Sequence, residues 1–237
     1  MNRNHAATRH PAVPLSIIMP VLNEAGALPA HLAALQPLRA QGVEVVVVDG
    51  ESQDDTLALA KPLADRVLTS LPGRARQMNL GAAHARADAL LFLHADTRLP
   101  PEALSLITQA LATRPWGRFD IRLEGHSPWL PVISTMINLR SRLTGIATGD
   151  QALFMRRDTF EAVSGYPEQP LMEDIDITRR LKRLSRPACL RAKVVSSGRR
   201  WDKHGAWRTI VLMWRLRYRY WRGVDAEALA KAYRHVR

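Results

Sequence analysis

His94 and Asp96 stand two residues apart, directly behind the apolar run Leu90-Leu91-Phe92-Leu93. Residues two apart in a strand point to one side. An imidazole and a carboxylate would then stand together, the start of a divalent metal site. The bland alternative is a polar strand end feeding a solvated turn, because a short HxD pattern is a weak signal. Asp49 follows the β-branched run Val43–Val48 and could accept hydrogen bonds from a base or ribose. Glu173 and Asp174 open a stretch of helical length that is acidic first and basic last, as the helix dipole favours. A carboxylate there could take a proton from a sugar or lipid hydroxyl, or simply cap the helix. Arg74 and Arg76 are placed to meet an anionic ligand, although arginines on a helix are commonly just solvated. His204, in RRWDKHG, is a third candidate metal ligand or a phosphate donor.

These residues need elements to position them. Leu15–Val21, Val43–Val48, Arg66–Thr69 and Leu90–Leu93 read as strands, the second and fourth apolar enough to be buried on both faces. Ala25–Gln41, a segment capped near Ser52 or Asp54-Asp55 and running to Ala64, Arg74–Ala87, and a helix opened by Pro100-Pro101 and running to Thr113 alternate with them. This alternation is the signature of a parallel sheet covered by helices. Asn23-Glu24, Asp49, and His94 with Asp96 each follow a strand, so the three ends would meet at one sheet edge, where open α/β sheets bind ligands. The second half is less regular. Trp116–Leu123 alternates like an antiparallel strand. Pro128–Leu143 reads as an apolar helix, Gln151–Arg156 as a strand, and Asp158 as the cap of a short helix ending near Gly165. Glu173–Ser185 is a helix, Cys189–Ser196 a strand, and Trp207–Arg222 and Asp225–His235 close the chain as helices.

The 237 residues suffice for one large α/β domain. One cysteine, Cys189, excludes an internal disulfide and a multi-cysteine zinc site. The net charge is +12 and unevenly placed. Residues 199–237 hold eleven Lys/Arg against three Asp/Glu, a net +8. Such asymmetry points to an anionic partner. No apolar run reaches the roughly 18–20 residues that span a bilayer, and the first fourteen residues, without an apolar core, read as a flexible tail. The expectation is a cytoplasmic protein, peripheral at most at the inner face of the membrane. There is no GxxxxGK[ST] loop, no GxGxxG after the first strand and no GxSxG elbow, which weakens NTPase, dehydrogenase and serine-hydrolase readings.

Four segments in order carry a resemblance. SIIMPVLNEAGAL, with Pro20, Asn23 and Glu24, resembles the opening strand and turn of the family 2 glycosyltransferases of the GT-A fold. VVVVDGESQDDT, with Asp49, is similar to that family's nucleotide-contacting stretch. GRARQMNLGAAHARADALLFLHADTRLP, with Asn79, Gly81, Ala95 and Asp96, resembles the segment running into its metal-binding DxD. MEDIDITRRL resembles its acceptor-side helix. HAD, GRARQMN and GDQALFMRR together are closest to a bacterial branch, the "transferase 2, radical-SAM/selenodomain-associated" group. Gly50 and His94 depart from the pattern, which usually has Asp at both places. His94 is left three roles: ligand, support for Asp96, or packing.

The resemblance implies an α/β GT-A fold, a single Rossmann-like domain whose mostly parallel central sheet is flanked by helices. Residues 15–113 would bind a nucleotide sugar, 114–204 the acceptor, and 205–237 would form basic C-terminal helices. A UDP- or GDP-sugar would lie along the strand ends, with Asp49, Asn23 and Glu24 at the nucleoside and Arg74 or Arg76 at the diphosphate. Mg²⁺ or Mn²⁺ would sit on Asp96, joined by His94 or His204. Asp174, beside Glu173, would deprotonate a small-molecule or lipid acceptor, with inversion. Trp207–Arg222 interleaves aromatic and basic residues. That suits either an anionic membrane surface or a helix packed on the core with solvated arginines. Competing readings are a nucleotidyltransferase, an inactive GT-A scaffold and a basic nucleic-acid-binding protein. The clustered carboxylates oppose a nucleic-acid partner.

Overall fold

The computed structural model describes residues 13–234. All but the last two residues of the expected N-terminal tail, and the end of the last helix, lie outside the described residues. Eight strands form one sheet: β1 (Ser16–Val21), β2 (Glu44–Asp49), β3 (Arg66–Thr69), β4 (Ala89–Phe92), β5 (Thr97–Arg98), β6 (Trp116–Glu124), β7 (Leu153–Arg156) and β8 (Ala188–Ser197). Their order is β3-β2-β1-β4-β7-β6-β8-β5. β3, β2, β1 and β4 are mutually parallel. β7 runs antiparallel to β4 and β6, and β8 pairs parallel with β6. The sheet is thus mixed and mostly parallel, with helices on both faces.

The helices in chain order are α1 (Leu28–Ala34), α2 (Gln36–Arg39), α3 (Thr56–Ala60), α4 (Arg74–His84), α5 (Ala103–Thr113), α6 (Leu130–Thr144), α7 (Arg157–Ala162), α8 (Glu173–Leu184), α9 (Arg199–His204), α10 (Ala206–Trp221) and α11 (Ala226–Arg234). Alternate residues of a strand face opposite sides, and the core divides accordingly. Ile17 and Met19 of β1 and Leu91 of β4 pack with Leu28 of α1, Ile107 of α5 and Ile133 of α6. Ile18, Leu90 and Phe92 face the other layer, with Met78 of α4, Phe160 of α7 and Ile177 of α8. The Leu90–Leu93 run is therefore buried on both faces, as its composition required.

Several boundaries differ from the sequence expectation. The single helix over 25–41 is two short ones, because Pro37 has no N–H to donate and restarts the helix. α3 is one turn and a little more; Asp55 is its N-cap without a side-chain hydrogen bond, and Asp54, just before it, accepts from the Thr56 N–H at 3.1 Å. Asp158 lies in the first turn of α7 and is not its cap. β6 is buried through Ile121 and does not alternate as expected. Arg118 is fully buried, paired with Asp120, and Asp120 is paired again with Arg142 of α6 at 2.6 Å. A buried charge so matched can occupy a core position. Two-residue β5 and the polar α9 were not expected.

Gly117 shows how tightly β6 is held. It pairs with Phe154 on one side and Ala188 on the other. A Cβ there would collide with the Phe154 ring and stand 2.5 Å from the Ala188 carbonyl oxygen. Neither neighbour can swing away. Gly117→Ala is expected to cost about 3 kcal/mol, the upper part of the overpacking range, read as a lower urea midpoint at unchanged slope.

Candidate active site

Chain leaving β1 turns to one side to make β2, while β4 pairs on the other side, so the crevice lies at the switch between β1 and β4. Its first wall is a hydrogen-bonded double turn. Asp49 is buried, and its two oxygens accept from the Ser52 hydroxyl and the Ser52 N–H at 2.5 and 3.0 Å. The Ser52 hydroxyl also accepts from the Asn23 N–H at 2.8 Å, and the Asn23 side chain accepts from the Gln53 N–H at 2.8 Å. Asn23 has a positive φ of 53°, a conformation asparagine tolerates. The Glu24 N–H donates to Thr56. Gln77 of α4, which sequence reasoning passed over, ties the two strand ends together by donating to the carbonyls of Val21 and Val48 at 2.7 and 2.8 Å. Pro20 is buried in β1.

The second wall follows β4. Ala95 and Thr97 are buried, and Asp96 between them is half-buried. Its Oδ1 receives a 3.5 Å contact from the Thr97 hydroxyl, which also donates to Ser196 of β8 at 3.1 Å. The flanking residues thus fix the Asp96 backbone and leave its carboxylate largely unengaged. His94 is different. Nη2 of Arg74 lies 2.9 Å from its Nδ1 and 2.5 Å from its Nε2. The ring also lies against Gly149, where a Cβ would stand 2.5 Å from Nε2. Burial and then the charges of Arg74 and Arg200 push the His94 pKa well down, which keeps the ring neutral.

The third wall is the N-terminus of α8. Met172 enters it with φ 67°, and Glu173 is buried, 3.9 Å from the Arg74 guanidinium. Asp174 Oδ2 accepts from the Gly149 N–H at 3.0 Å, and Oδ1 from the Ile175 N–H at 2.7 Å. Burial above all, then the neighbouring Glu173, push its pKa up to about 7 against the opposing pull of the Gly149 N–H and Arg74. A carboxylate poised near neutrality is suited to proton transfer at physiological pH. Arg74 therefore links His94 and Glu173, and Gly149 touches both His94 and Asp174. The side chains of Arg74, His94, Glu173 and Asp174 form one cluster.

Other expected site residues have different placements. Arg76 turns to Glu168, 3.3 Å away. Asn79 is a clamp: its amide donates to the Tyr166 carbonyl and accepts from the Tyr166 N–H, both at 2.9 Å. His204 ends α9. Among the described residues, no group of three or more His, Cys, Asp or Glu is disposed to hold a metal, so Asp96, His94 and His204 do not form a ligand set. The reason at His94 is physical, since a guanidinium already lies on its ring nitrogens. Asp96 alone retains the hard oxygen chemistry that suits Mg²⁺ or Mn²⁺. Sequence reading also passed over Arg140 of α6, whose Nε and Nη2 are buried without hydrogen-bond partners. Burial lowers its pKa, and the charges of Asp150 and Asp174 oppose that shift. No signal in the sequence distinguishes it, since α6 also carries Arg142 and several Ser, Thr and Asn residues.

The chain is similar to known proteins in sequence and in fold. Undecaprenyl-phosphate 4-deoxy-4-formamido-L-arabinose transferase of Pseudomonas aeruginosa (strain LESB58) is 30% identical over 157 residues, which are 60% of this chain and 46% of that protein. The chain thus spans about half the length of this curated relative. In fold, it is similar to S. aureus TarS 1-349 in complex with UDP, with TM-score 0.63, 20% identity, and coverage of 77% of this chain and 60% of that one. It is also similar to the mannosyltransferase PcManGT from Pyrobaculum calidifontis in complex with GDP-Man and Mn²⁺, with TM-score 0.62, 20% identity, and coverage of 78% and 57%. Residues 16–161, from β1 through most of α7, match the model of the family described as Glycosyl transferase family 2, and the chain belongs to that family.

Proposed function

We propose that this protein transfers a sugar from a UDP- or GDP-sugar to an acceptor hydroxyl with inversion, as a hexosyltransferase. The observation that carries this reading is Asp174. Its carboxylate stands in the crevice with a pKa raised to about 7 and is oriented by two backbone N–H groups. It takes the acceptor proton while the hydroxyl attacks the anomeric carbon from the face opposite the diphosphate. Arg74 supplies positive charge near the departing diphosphate, positioned by His94 and Glu173. The turns built on Asn23-Glu24 and Asp49-Ser52 form the nucleoside side. Residues 15–113 are then the donor half and 114–204 the acceptor half. A divalent cation, were it held at Asp96, would stabilise the charge that develops on the leaving group.

The named relatives support the classes of donor and acceptor. One structural relative binds UDP and another GDP-Man with Mn²⁺, and the name of the Pseudomonas relative carries undecaprenyl phosphate, a lipid. A lipid or lipid-linked acceptor, met from the cytoplasmic face of the membrane, is consistent with these. Placement in the radical-SAM/selenodomain-associated branch rests on the HAD, GRARQMN and GDQALFMRR segments alone. The test is calorimetry with UDP, GDP and their common sugar conjugates, with and without Mn²⁺. One nucleotide should bind, at least about tenfold tighter with the metal. Absence of binding to either nucleotide with the metal present would refute the reading in favour of an inactive scaffold.

A further inference from the structure

Two helices carry rows of large apolar side chains that the fold leaves uncovered. On α10, Trp207, Val211, Trp214, Tyr218 and Trp221 recur at intervals of four and three, and all are at least 50% exposed. At the start of α6 and along it, Trp129, Val132, Met136, Leu139 and Leu143 recur at intervals of three and four, with exposures of 46% to 75%. Such spacing places each set on one helical face. The opposite faces make the core contacts, through Leu130 and Ile133 on α6 and Ala206, Thr209 and Leu216 on α10. The core side of α10 thus holds Ala206, Thr209 and Leu216, while three tryptophans stand in solvent. The two rows join, because the rings of Trp129 and Trp207 meet edge to face with centroids 5.8 Å apart. Contiguous apolar surface of this extent marks an interaction site.

Charge identifies the partner. Arg208, Arg215, Arg219 and Arg222 are all exposed. They fall about 60–120° round α10 from the centre of its aromatic row, at 100° per residue. None of the four makes a salt bridge among the described residues. A two-fold contact between copies would gather these like charges into one interface, where they repel. Tryptophan and tyrosine edged by arginine match a phospholipid headgroup layer, with rings at the acyl boundary and guanidinium groups on phosphates. No described helix is long and apolar enough to cross a membrane, so the contact is with the surface.

We propose that α6 and α10 together form a docking platform for an anionic lipid bilayer. The platform backs the active site. Leu216 packs on Met172, the residue before Glu173, and the Tyr220 hydroxyl lies 3.3 Å from Asp176 Oδ2 on α8. The delivery of a lipid acceptor to Asp174 rests on the transfer reading above, whereas docking itself does not.

The test is co-sedimentation of the full chain with phosphatidylcholine vesicles, with or without phosphatidylglycerol. Binding should be strong only with the anionic lipid and should weaken as salt is raised. Arg215→Gln with Arg219→Gln should weaken it about 25-fold, at about fivefold per cation. Trp214→Ser with Trp221→Ser, and separately Met136→Ser with Leu143→Ser, should each weaken it at least about tenfold. All six positions are exposed, so each variant should keep the circular dichroism spectrum and nucleotide binding of the wild type. Equal sedimentation with neutral vesicles would overturn the proposal. So would wild-type vesicle binding by the α6 pair, or a lipid-free dimer that the same substitutions dissociate without any vesicle binding. Nucleotide binding on the same samples separates failure of docking from failure of the transferase reading.

Discussion

Asp174→Asn is expected to lower turnover by about 10²–10⁴-fold, the usual contribution of a general base, with nucleotide affinity unchanged. Asn preserves the shape and can still accept the Gly149 N–H, so the cluster of Arg74, His94 and Glu173 should stay in place. What it loses is the ability to take a proton, together with the second acceptor oxygen, which met the Ile175 N–H. The pH dependence gives a second, independent readout. The carboxyl is raised to about 7 chiefly because burial disfavours its charged form, and only that charged form acts as a base. In the wild type, kcat/KM should therefore rise with pH to a plateau above about 7 and fall about tenfold per unit below it. The Asn variant should lose that limb. Stability has the opposite sign. A carboxyl whose folded pKa lies above its unfolded value stabilises the fold fully below the unfolded value, and that contribution is lost as pH rises from the ordinary carboxylate range to about 7. The Asn variant should consequently melt no lower than the wild type at pH 8. A variant that loses nucleotide binding as far as turnover would remove Asp174 from the base role.

How much of this was legible in the sequence follows from the range over which each feature is determined. Ile17, Ile18 and Met19, or Leu90 through Phe92, announce a strand buried on both faces by composition alone, and the structure divides them between two layers. The alternation of such runs with helical stretches was enough for the sheet and its crevice. α9 was missed because RRWDKH offers one apolar residue, Trp201, and no periodicity to read. Burial of Arg118 depends on Asp120 and on Arg142 from a different helix, a relation that no local pattern contains. At the site, residue types were legible but their partners were not. Asn79 and Gln77 sit in the same helix, and the family resemblance singles out only the first. In the structure both are clamps, one on Tyr166 and one on the ends of β1 and β2. The raised pKa of Asp174 needs burial by the surrounding chain and Glu173 beside it, and the Gly149 N–H that opposes the rise comes from 25 residues away. His94 keeps three roles on sequence alone, and its neighbour Arg74, which lies on its ring nitrogens, is named by no local pattern.

Asp96→Ala should abolish the metal-dependent part of nucleotide binding, a loss of about 10²-fold or more in the presence of Mn²⁺. Affinity measured without metal should hardly change. The expectation follows from how differently the two residues of the HAD segment are engaged. Asp96 has buried neighbours on both sides, one of them anchored to Ser196, and among the described residues its carboxylate takes one hydrogen-bond contact, at 3.5 Å from Thr97. It is held in place without being neutralised, which a cation site requires. His94 is neutral and bears Arg74 on its ring, so a divalent cation approaching those nitrogens would meet a fixed positive charge. His94→Gln should accordingly leave the Mn²⁺ dependence intact, and any loss it causes should appear in turnover, through a displaced Arg74. The paired calorimetric titration therefore discriminates between the two. If His94→Gln removes the metal effect and Asp96→Ala does not, the ligand assignment is reversed. If both variants bind nucleotide as tightly with Mn²⁺ as the wild type, the leaving diphosphate is stabilised by Arg74 and its neighbours without a cation at Asp96.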